Sequence, residues 1–298
     1  MIIENKQNLP RAIVDAVVNE KHNEANSYSA TTLLKGAKEA ILTDRHFDEI
    51  KVDASDCIWQ IFGTAVHGIL QQNADGALHE LALSAEVSRS LVTGVIDWYG
   101  KEAETVIDYK TASVWKIMVG DFDDWQAQGT IYAWLLWLNG FPCSKVRFVA
   151  LLKDHSKSKA SRDASYPQSP VAVYEFEVDS KAIRGVETFV NNRVKLFEEA
   201  AHLPDDEIEP CSAAERWADA GKYAVMKNGR KSAVRVFDSK DEADSFCEKQ
   251  GAGHYVQKRE AVSRKCEGYC AARDFCNYYK QAQAARETNE TGETDEKI

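Results

Sequence analysis

Two carboxylates and a lysine lie at corresponding points of two neighbouring segments with strand-like patterning. Asp97 ends the apolar run GVID, and Asp108 and Lys110 lie in the next run, TVIDYK, after a tight turn. Residues 108 and 110 are two positions apart, so on a strand their side chains point to the same face. The sequence therefore predicts that both carboxylates and the lysine meet at one edge of a sheet.

This set of side chains suits the hydrolysis of a phosphodiester. That reaction needs a divalent ion to stabilise the in-line transition state, and Mg²⁺ prefers oxygen ligands. We expect Asp97, Asp108 and the carbonyl of Tyr109 to bind Mg²⁺ or Mn²⁺, and Lys110 to orient the attacking water or hold the phosphate. Taken alone, an Asp at a strand end is usually a turn former, so the surrounding motifs decide between the two interpretations.

Four short segments occur in a fixed order around these residues: GTAVH at 63–67, GVID at 94–97, DYK at 108–110 and QGTIY at 128–132. This order resembles the PD-(D/E)XK nuclease superfamily, specifically its RecB-type and phage exonuclease branch, over roughly residues 27–200. The resemblance implies that the two aspartates are acidic metal ligands and that the lysine is catalytic. It also implies roles for three further residues: His67 as an additional metal ligand, with Gln128 and Tyr132 on one helix face, contacting DNA or organising the site.

Apolar periodicity predicts the elements that hold these residues. Helical spacing predicts helices at residues 9–25, 27–42, 57–72, 121–139 and 180–201, and the helix at 57–72 is expected to be buried. Alternating patterning predicts strands at 78–88, 91–98, 104–110, 144–152 and 171–178. Glu80 and Glu86 lie on the first of these strands. Either could add a water-mediated contact to the site, but we expect both to face solvent.

This order of elements indicates an α/β (α+β) fold with a mixed central sheet flanked by helices. The resemblance implies a restriction-endonuclease-like core, with N-terminal helices, at residues 1–202. Residues 203–280 are predicted to be a cysteine-anchored C-terminal region, with a ββαβ module at about 221–262 around an Asn-Gly turn. The polar stretch 281–298 lacks aromatic residues, and we expect a disordered tail there.

Four of the seven cysteines are candidates for a second metal centre. Cys266, Cys270 and Cys276 lie close together, and Cys211 is the best fourth member, with Cys57 as its competitor. Four thiolates can hold a [4Fe–4S] cluster or a structural Zn²⁺. Several RecB-type nucleases carry an iron–sulfur cluster, so the resemblance favours iron–sulfur, although here the first C-terminal gap and the upstream cysteine depart from their pattern. Reduced cysteines without metal are the remaining alternative.

Aromatic and cationic residues outside these motifs are candidate DNA contacts. A tryptophan beside lysines can stack on a base, whereas a charged loop is more often only solvated. The candidates are Trp115, Lys116, Lys153, Lys157, Lys227, Arg230 and Lys231.

Composition limits the class of protein. The formal net charge of the 298 residues is -10, which argues against non-specific coating of nucleic acid but is compatible with metal-binding carboxylates. The chain has no apolar run long enough to span a bilayer, and its N-terminus lacks the pattern of a signal peptide. We therefore expect a protein of the bacterial or phage-infected host cytosol that does not bind membranes and keeps its thiols reduced.

These expectations together describe a metal-dependent deoxyribonuclease. A phage-type exonuclease that acts in DNA recombination or end processing is favoured over an endonuclease, with DNA as partner and a recombination protein as a candidate second partner. The alternatives are a catalytically silent DNA-end-binding protein of the same fold and a metal-stabilised interaction module. Cleavage polarity, strand preference and oligomeric state stay open.

Overall fold

Two units make up the chain, Met1–Glu207 (unit 1) and Ile208–Ile298 (unit 2). The computed structural model describes residues 1–17, 26–72, 76–259 and 261–292, with side chains described as far as residue 286. None of the helices in these ranges has the length and apolar content that crossing a membrane requires.

Unit 1 is built on a mixed sheet, as the sequence predicts, and the sheet has six strands rather than the five predicted. Five strands follow the order β2-β5-β6-β7-β8, and β4 pairs with β5. The β6–β7 and β2–β5 pairs are parallel, whereas β4–β5, β5–β6 and β7–β8 are antiparallel. A separate parallel pair joins β1 to β3. The strands are β1 (Ile2–Glu4), β2 (Ser27–Ser29), β3 (Lys51–Asp53), β4 (Leu78–Val87), β5 (Ser90–Gly100), β6 (Thr105–Ala112), β7 (Lys145–Leu152) and β8 (Val171–Glu177).

Helices accompany this sheet, and the predicted helices at 57–72, 121–139 and 180–201 are present with small differences in their ends. The helices of unit 1 are α1 (Arg11–Val17), α2 (Ala30–Leu33), α3 (Ala37–Arg45), α4 (Ile58–Leu70), α5 (Val114–Val119), α6 (Asp123–Leu138), α7 (Lys157–Ala160) and α8 (Ser180–Ala200). The main core lies between the sheet and α6, since nine α6 residues are buried. Three valines and one phenylalanine of α8 are buried as well.

The predicted helices at 9–25 and 27–42 differ from the structure. Helix α1 covers Arg11–Val17, and residues 18–25 lie outside the described residues. Residues 27–29 form β2 rather than a helix, and Ser29 then caps α2 by accepting a hydrogen bond from the Thr32 amide. Gly36 separates α2 from α3, because glycine is a poor helix former and is favourable at a helix N-cap.

Two glycines allow α6 to approach the sheet closely. A Cβ on Gly94 of β5 would lie 2.7 Å from Leu135 and 3.1 Å from Tyr132, and a Cβ on Gly129 would lie 2.6 Å from Val146. Real Cβ atoms essentially never come within 3.0 Å of another heavy atom, so a side chain at either position would displace these packed neighbours. The GVID and QGTIY segments therefore interlock through packing.

The prediction that the helix carrying His67 is buried is wrong. Eight of the 13 residues of α4 are apolar, yet none of the 13 is buried. Trp59 and Phe62 are 55% and 41% exposed. Apolar content determines how much surface favours burial, but the tertiary fold decides whether a partner covers that surface.

Unit 2 contains a three-stranded antiparallel sheet and helices. Its strand order is β10-β9-β11, and Gly229, in the turn after β9, has a φ of 79° that suits glycine. The elements are β9 (Lys222–Lys227), β10 (Arg235–Phe237), α9 (Lys240–Gln250), β11 (His254–Arg259), α10 (Arg264–Gly268) and α11 (Asn277–Gly292). This is the predicted ββαβ order, with a shorter second strand.

Helix α11 extends through residues 281–292, where composition predicted a disordered tail. The segment KQAQAARE that begins there consists of good helix formers, so low aromatic content does not prevent a helix. Its Arg286 also pairs with Glu267 of α10, which attaches the helix within unit 2. Residues 293–298 of the predicted tail lie outside the described residues.

Candidate active site

Strands β5 and β6 part at the two predicted carboxylates. Their ladder runs only from Trp98 opposite Ile107 to Gly100 opposite Thr105. Continuing that register places Asp97 opposite Asp108, directly beyond the last pair. Asp97 Oδ2 accepts a hydrogen bond of 2.7 Å from the Tyr109 amide, so a carboxylate satisfies a backbone donor where the ladder has ended.

Helix α4 brings a histidine to this split. His67 Nε2 lies 2.8 Å from the Tyr109 carbonyl oxygen, and His67 Nδ1 lies 3.3 Å from Asp97 Oδ1. One ligand atom each from His67, Glu80 and Asp97 lies within 4.8 Å of the other two. We call these three residues the histidine cluster. Elsewhere in the described ranges, no other group of three histidine, cysteine or acidic residues meets this criterion.

Glu80 is the site residue that the sequence reasoning missed. Its side chain is exposed, as predicted, but its carboxylate belongs to the histidine cluster rather than to open solvent. The β4–β5 ladder pairs His79 with Trp98 and Leu81 with Ile96 but omits Glu80, which has a left-handed φ of 49°. Counting back from the hairpin turn at 88–89 would have placed Glu80 opposite Asp97, and that count is the signal in the sequence.

The histidine cluster suits a cation. With Nε2–H donating to the Tyr109 carbonyl, His67 Nδ1 and Asp97 Oδ1 are two acceptors that face each other, so a proton or a cation belongs between them. The hydrogen bond and negative charge of Asp97 raise the pKa of His67, and burial opposes this effect. The Tyr109 carbonyl, a predicted metal ligand, orients the imidazole here, and its binding of metal stays a prediction.

A second group lies between β6 and α6. Lys110 Nζ is 2.7 Å from Asp108 Oδ1 and donates a 2.9 Å hydrogen bond to Gln128 Oε1. Gln128 Nε2 lies 3.3 Å from Asp108 Oδ2 and 2.8 Å from the Tyr132 hydroxyl. We call these four residues the lysine network. The structure therefore brings together the sequence-predicted Asp108, Lys110, Gln128 and Tyr132.

Burial is the main influence on the pKa of Asp108, which is only 2% exposed. Desolvation raises its pKa to about 6, with Lys110 opposing and the charge of Asp97 reinforcing the shift. The same burial, with the Asp108 charge, raises the pKa of Tyr132. Asp108 Oδ1 has no partner with hydrogen-bond geometry among the described residues, although the Lys110 ammonium is close. Two neighbouring carboxylates, Asp97 and the buried Asp108, repel each other when both are ionised, and a bound cation would stabilise their charged forms.

The predicted DNA contacts have different surroundings. On α5, Trp115 is 71% exposed, whereas Lys116 pairs with Asp124 at 2.7 Å. Lys153, at the end of β7, places its ammonium 4.2 Å from the centre of the Trp59 ring, and Lys157 is exposed on α7. Three more candidates are exposed in unit 2 at the turn after β9: Lys227, Arg230 and Lys231.

The cysteines do not assemble a compact tetrahedral site. None of the seven forms a disulfide, and all are partly exposed. A Zn²⁺ ion with four Zn–S bonds of about 2.3 Å would hold sulfur atoms about 3.8 Å apart, and no three cysteines of the described part lie within 4.8 Å of one another. An iron–sulfur cluster at Cys211, Cys266, Cys270 and Cys276 is larger than a single ion and stays a prediction. Cys57 lies directly before α4.

Comparison with known proteins finds likenesses to solved structures alone, since no protein-family model and no curated protein matches. The chain is similar to SSO0001, with 17% identity, a TM-score of 0.41 and coverage of 62% of this chain and 83% of that one. It is similar to a phage-related exonuclease from Haemophilus somnus 129PT, with 14% identity, a TM-score of 0.36 and coverage of 58% and 94%. The alkaline exonuclease LHK-Exo from Laribacter hongkongensis gives 12% identity, a TM-score of 0.37 and coverage of 58% and 89%. All three TM-scores are below 0.5, so the functional conclusion depends on the site itself.

Proposed function

We propose that the protein is a divalent-metal-dependent deoxyribonuclease that hydrolyses phosphodiester bonds at the split between β5 and β6. The observation that carries this proposal is the meeting of the histidine cluster and the lysine network at one point of the sheet. Three potential metal ligands lie within 4.8 Å of one another, and a lysine ammonium lies 2.7 Å from the neighbouring buried carboxylate.

The residues present fit Mg²⁺ or Mn²⁺. Carboxylate oxygens are the preferred ligands of Mg²⁺, and an imidazole favours Mn²⁺ relative to Mg²⁺. Asp97 and Asp108 would hold the ion with support from His67 and Glu80, and the ion would be a second cation, beside the Lys110 ammonium, for the buried Asp108 carboxylate. When bound, the ion would stabilise the charge that develops on the phosphate and make water more acidic.

The lysine network supplies a positioned ammonium group, which is the contribution of the protein's own side chains to the reaction. Lys110 is held between Asp108 Oδ1 and Gln128 Oε1, so its ammonium has a defined position before substrate arrives. From there it can donate a hydrogen bond to a phosphate oxygen or to the attacking water. Gln128 and Tyr132 act as positioning residues, because their mutual hydrogen bond keeps the Gln128 amide directed at Lys110 and Asp108.

DNA is the substrate we propose, with an exonuclease of the phage type, active in recombination or end processing, as the more specific form. Two of the similar proteins, the phage-related protein from Haemophilus somnus 129PT and LHK-Exo, are exonucleases, and one structure of LHK-Exo is a complex with dAMP. The activity of those proteins agrees with the chemistry of this site. A catalytically silent DNA-end-binding protein would not need a lysine positioned between a buried carboxylate and an amide.

Cleavage of end-labelled DNA tests the proposal. Linear and circular DNA, each single- and double-stranded, are incubated with Mg²⁺, Mn²⁺ or EDTA. We expect metal-dependent hydrolysis of linear DNA, and Asp108→Ala and Lys110→Ala each to reduce the rate on the order of 10³-fold or more. Glu86→Ala is the matched control, since this exposed carboxylate lies on β4 away from the ladder gap at Glu80. Absence of metal-dependent cleavage of all four DNAs would contradict the proposal.

We also propose that Cys211, Cys266, Cys270 and Cys276 bind one metal centre within unit 2, a [4Fe–4S] cluster in preference to Zn²⁺. Three of them lie within 11 residues of sequence, which suits ligands from one short segment of the chain. Protein purified without oxygen should absorb broadly near roughly 400 nm if the centre is iron–sulfur. Colourless protein with one zinc would select Zn²⁺, and metal-free folded protein would exclude both.

A further inference from the structure

Helix α4 presents two aromatic side chains to solvent on the same helix that carries His67. Trp59 is 55% exposed and Phe62 41% exposed. Their ring centres lie 6.2 Å apart and their planes are perpendicular, at 89°. Neighbouring exposed aromatic rings at i and i+3 form one patch on a helix face, and such patches commonly bind ligands.

A positive charge accompanies this patch. The Lys153 ammonium lies 4.2 Å from the centre of the Trp59 ring, and the exposed Lys157 and Lys159 follow on α7. An aromatic ring combined with a nearby ammonium matches a nucleotide, which offers a flat base and a negative phosphate. A purely apolar partner would have no use for the lysine.

The patch leads towards the candidate active site. Trp59 and His67 are eight positions apart, which corresponds to a rise of roughly 12 Å along the helix. An open depression of about 380 Å³ lies at the histidine cluster, and its lining begins at Gly63, the residue after Phe62; it is lined by Gly63, Thr64, His67, Gly68, Gln71 and Glu80. A strand that crosses this depression would connect the aromatic pair to the metal ligands within a few nucleotides.

We propose that Trp59, Phe62 and Lys153 form a stacking site for an unpaired base of the DNA strand that is cleaved. This inference rests on the proposed nuclease function and specifies its substrate as DNA with a single-stranded end. Because the two rings are perpendicular, a base can lie flat on only one of them, and the other ring then meets its edge. Bases in a duplex already stack on each other, so the site selects unpaired nucleotides of any sequence.

Binding measured without hydrolysis tests this site directly. Fluorescence anisotropy of labelled oligo(dT) and of a blunt DNA duplex is recorded in EDTA with the full-length protein. We expect Trp59→Ala to weaken oligo(dT) binding by roughly five- to 150-fold, the equivalent of about 1–3 kcal/mol, and duplex binding by less than about twofold. Trp59→Phe should retain most of the affinity. Trp137→Ala is the matched control, because Trp137 is 58% exposed at the distant end of α6.

The same experiment contains the results that would overturn the proposal. Three results would each contradict the stacking site. Folded Trp59→Ala could bind oligo(dT) with unchanged affinity, it could lose as much affinity for the duplex as for oligo(dT), or Trp137→Ala could lose as much oligo(dT) affinity as Trp59→Ala. A loss in Trp115→Ala alone would place stacking on α5 instead. If sedimentation shows that Trp59→Ala dissociates an oligomer without affecting DNA binding, the patch joins copies of the chain.

Failure of this inference and failure of the proposed function are separable. If the wild type cleaves DNA and Trp59→Ala binds oligo(dT) as tightly as the wild type, the nuclease function is supported and the stacking site is contradicted. If Trp59→Ala weakens oligo(dT) binding but the wild type cleaves no DNA, the stacking site is supported and the nuclease function is contradicted.

Discussion

The two helices that flank the site, α4 and α6, have similar apolar content and opposite environments. Nine of the 16 residues of α6 are buried, whereas α4 has none. The lysine network lies beneath α6, and the histidine cluster lies beside α4. The two helices therefore suit different roles. The buried α6 fixes the positions of polar side chains, and the exposed α4 leaves space beside the histidine cluster for the substrate that we propose.

The two helices also differ in how completely they bury the carboxylates beside them. Asp108, under α6, is desolvated, which raises its pKa to about 6. Glu80, in the histidine cluster, is exposed, although partial desolvation and the charge of Asp97 raise its pKa as well. Fixing a charge under a packed helix is unfavourable for stability and useful for chemistry, a trade-off that active sites commonly show.

Matched tryptophan substitutions should give the largest difference between the helices. Trp134 on α6 is 2% exposed and Trp59 on α4 is 55% exposed. We expect Trp134→Ala to lower the free energy of unfolding by about 3–5 kcal/mol, because it leaves a cavity in the core. Trp59→Ala should change it by less than about 0.5 kcal/mol. Urea unfolding of both variants measures this, and equal losses would mean that α4 is as firmly packed as α6.

Metal binding should separate the histidine cluster from the lysine network. We expect His67→Ala to weaken Mn²⁺ binding by roughly 10- to 100-fold and to alter DNA affinity less. Gln128→Ala leaves the histidine cluster intact, so it should change Mn²⁺ affinity by less than about threefold while lowering the cleavage rate. Isothermal titration with Mn²⁺ decides. An unaltered titration for His67→Ala would make this residue structural.

The two glutamates of β4 provide a narrower test of the histidine cluster. Glu80 belongs to it, whereas Glu86 pairs with Leu91 in a regular part of the ladder. We expect Glu80→Gln to weaken Mn²⁺ binding by about tenfold and Glu86→Gln to leave it unchanged. If the two variants titrate alike, the carboxylate of Glu80 contributes no ligand.

The smallest expected effect is a gain in stability when the charge under α6 is removed. The folded-state pKa of Asp108, about 6, is above its ordinary value of 3.8, so ionisation favours the unfolded chain. This destabilisation is complete above about pH 6 and absent below about pH 4. We expect metal-free Asp108→Asn to be more stable than the wild type by about 1 kcal/mol or more at pH 8, and the difference to vanish below pH 4.

Thermal unfolding in EDTA across this pH range measures the effect. Asp163→Asn is a control of opposite sign, because hydrogen bonds from Ser165 hold the pKa of Asp163 below its ordinary value. Asp163→Asn should therefore be less stable than the wild type at pH 8. A pH-independent difference for Asp108→Asn would show that desolvation of its charge is not the cause.

The order of the sheet elements was predictable because local patterns carry it. Alternating runs marked β4 to β8, and helical spacing marked α4, α6 and α8, since both periodicities follow from backbone geometry. Site residues on one element or on adjacent strands were predictable for the same reason. Gln128 and Tyr132 share a helix face at i and i+4, and Asp108 and Lys110 share a strand face.

Three features were decided by tertiary structure alone. Strand counting places Glu80 opposite Asp97, but its approach to His67 depends on the opening of the β4–β5 ladder at a residue with a left-handed φ, and strand alternation carries no trace of such an opening. Helix α4 keeps Trp59 and Phe62 exposed because no segment of the described residues buries these two rings, which composition cannot reveal. Asp108 becomes desolvated because Gly94 and Gly129 let α6 settle close to the sheet. The sequence by itself thus determined which residue types could bind a cation and in what order they occur. Their distances, burial and charge states depended on packing between segments far apart in the chain, which local periodicity does not encode.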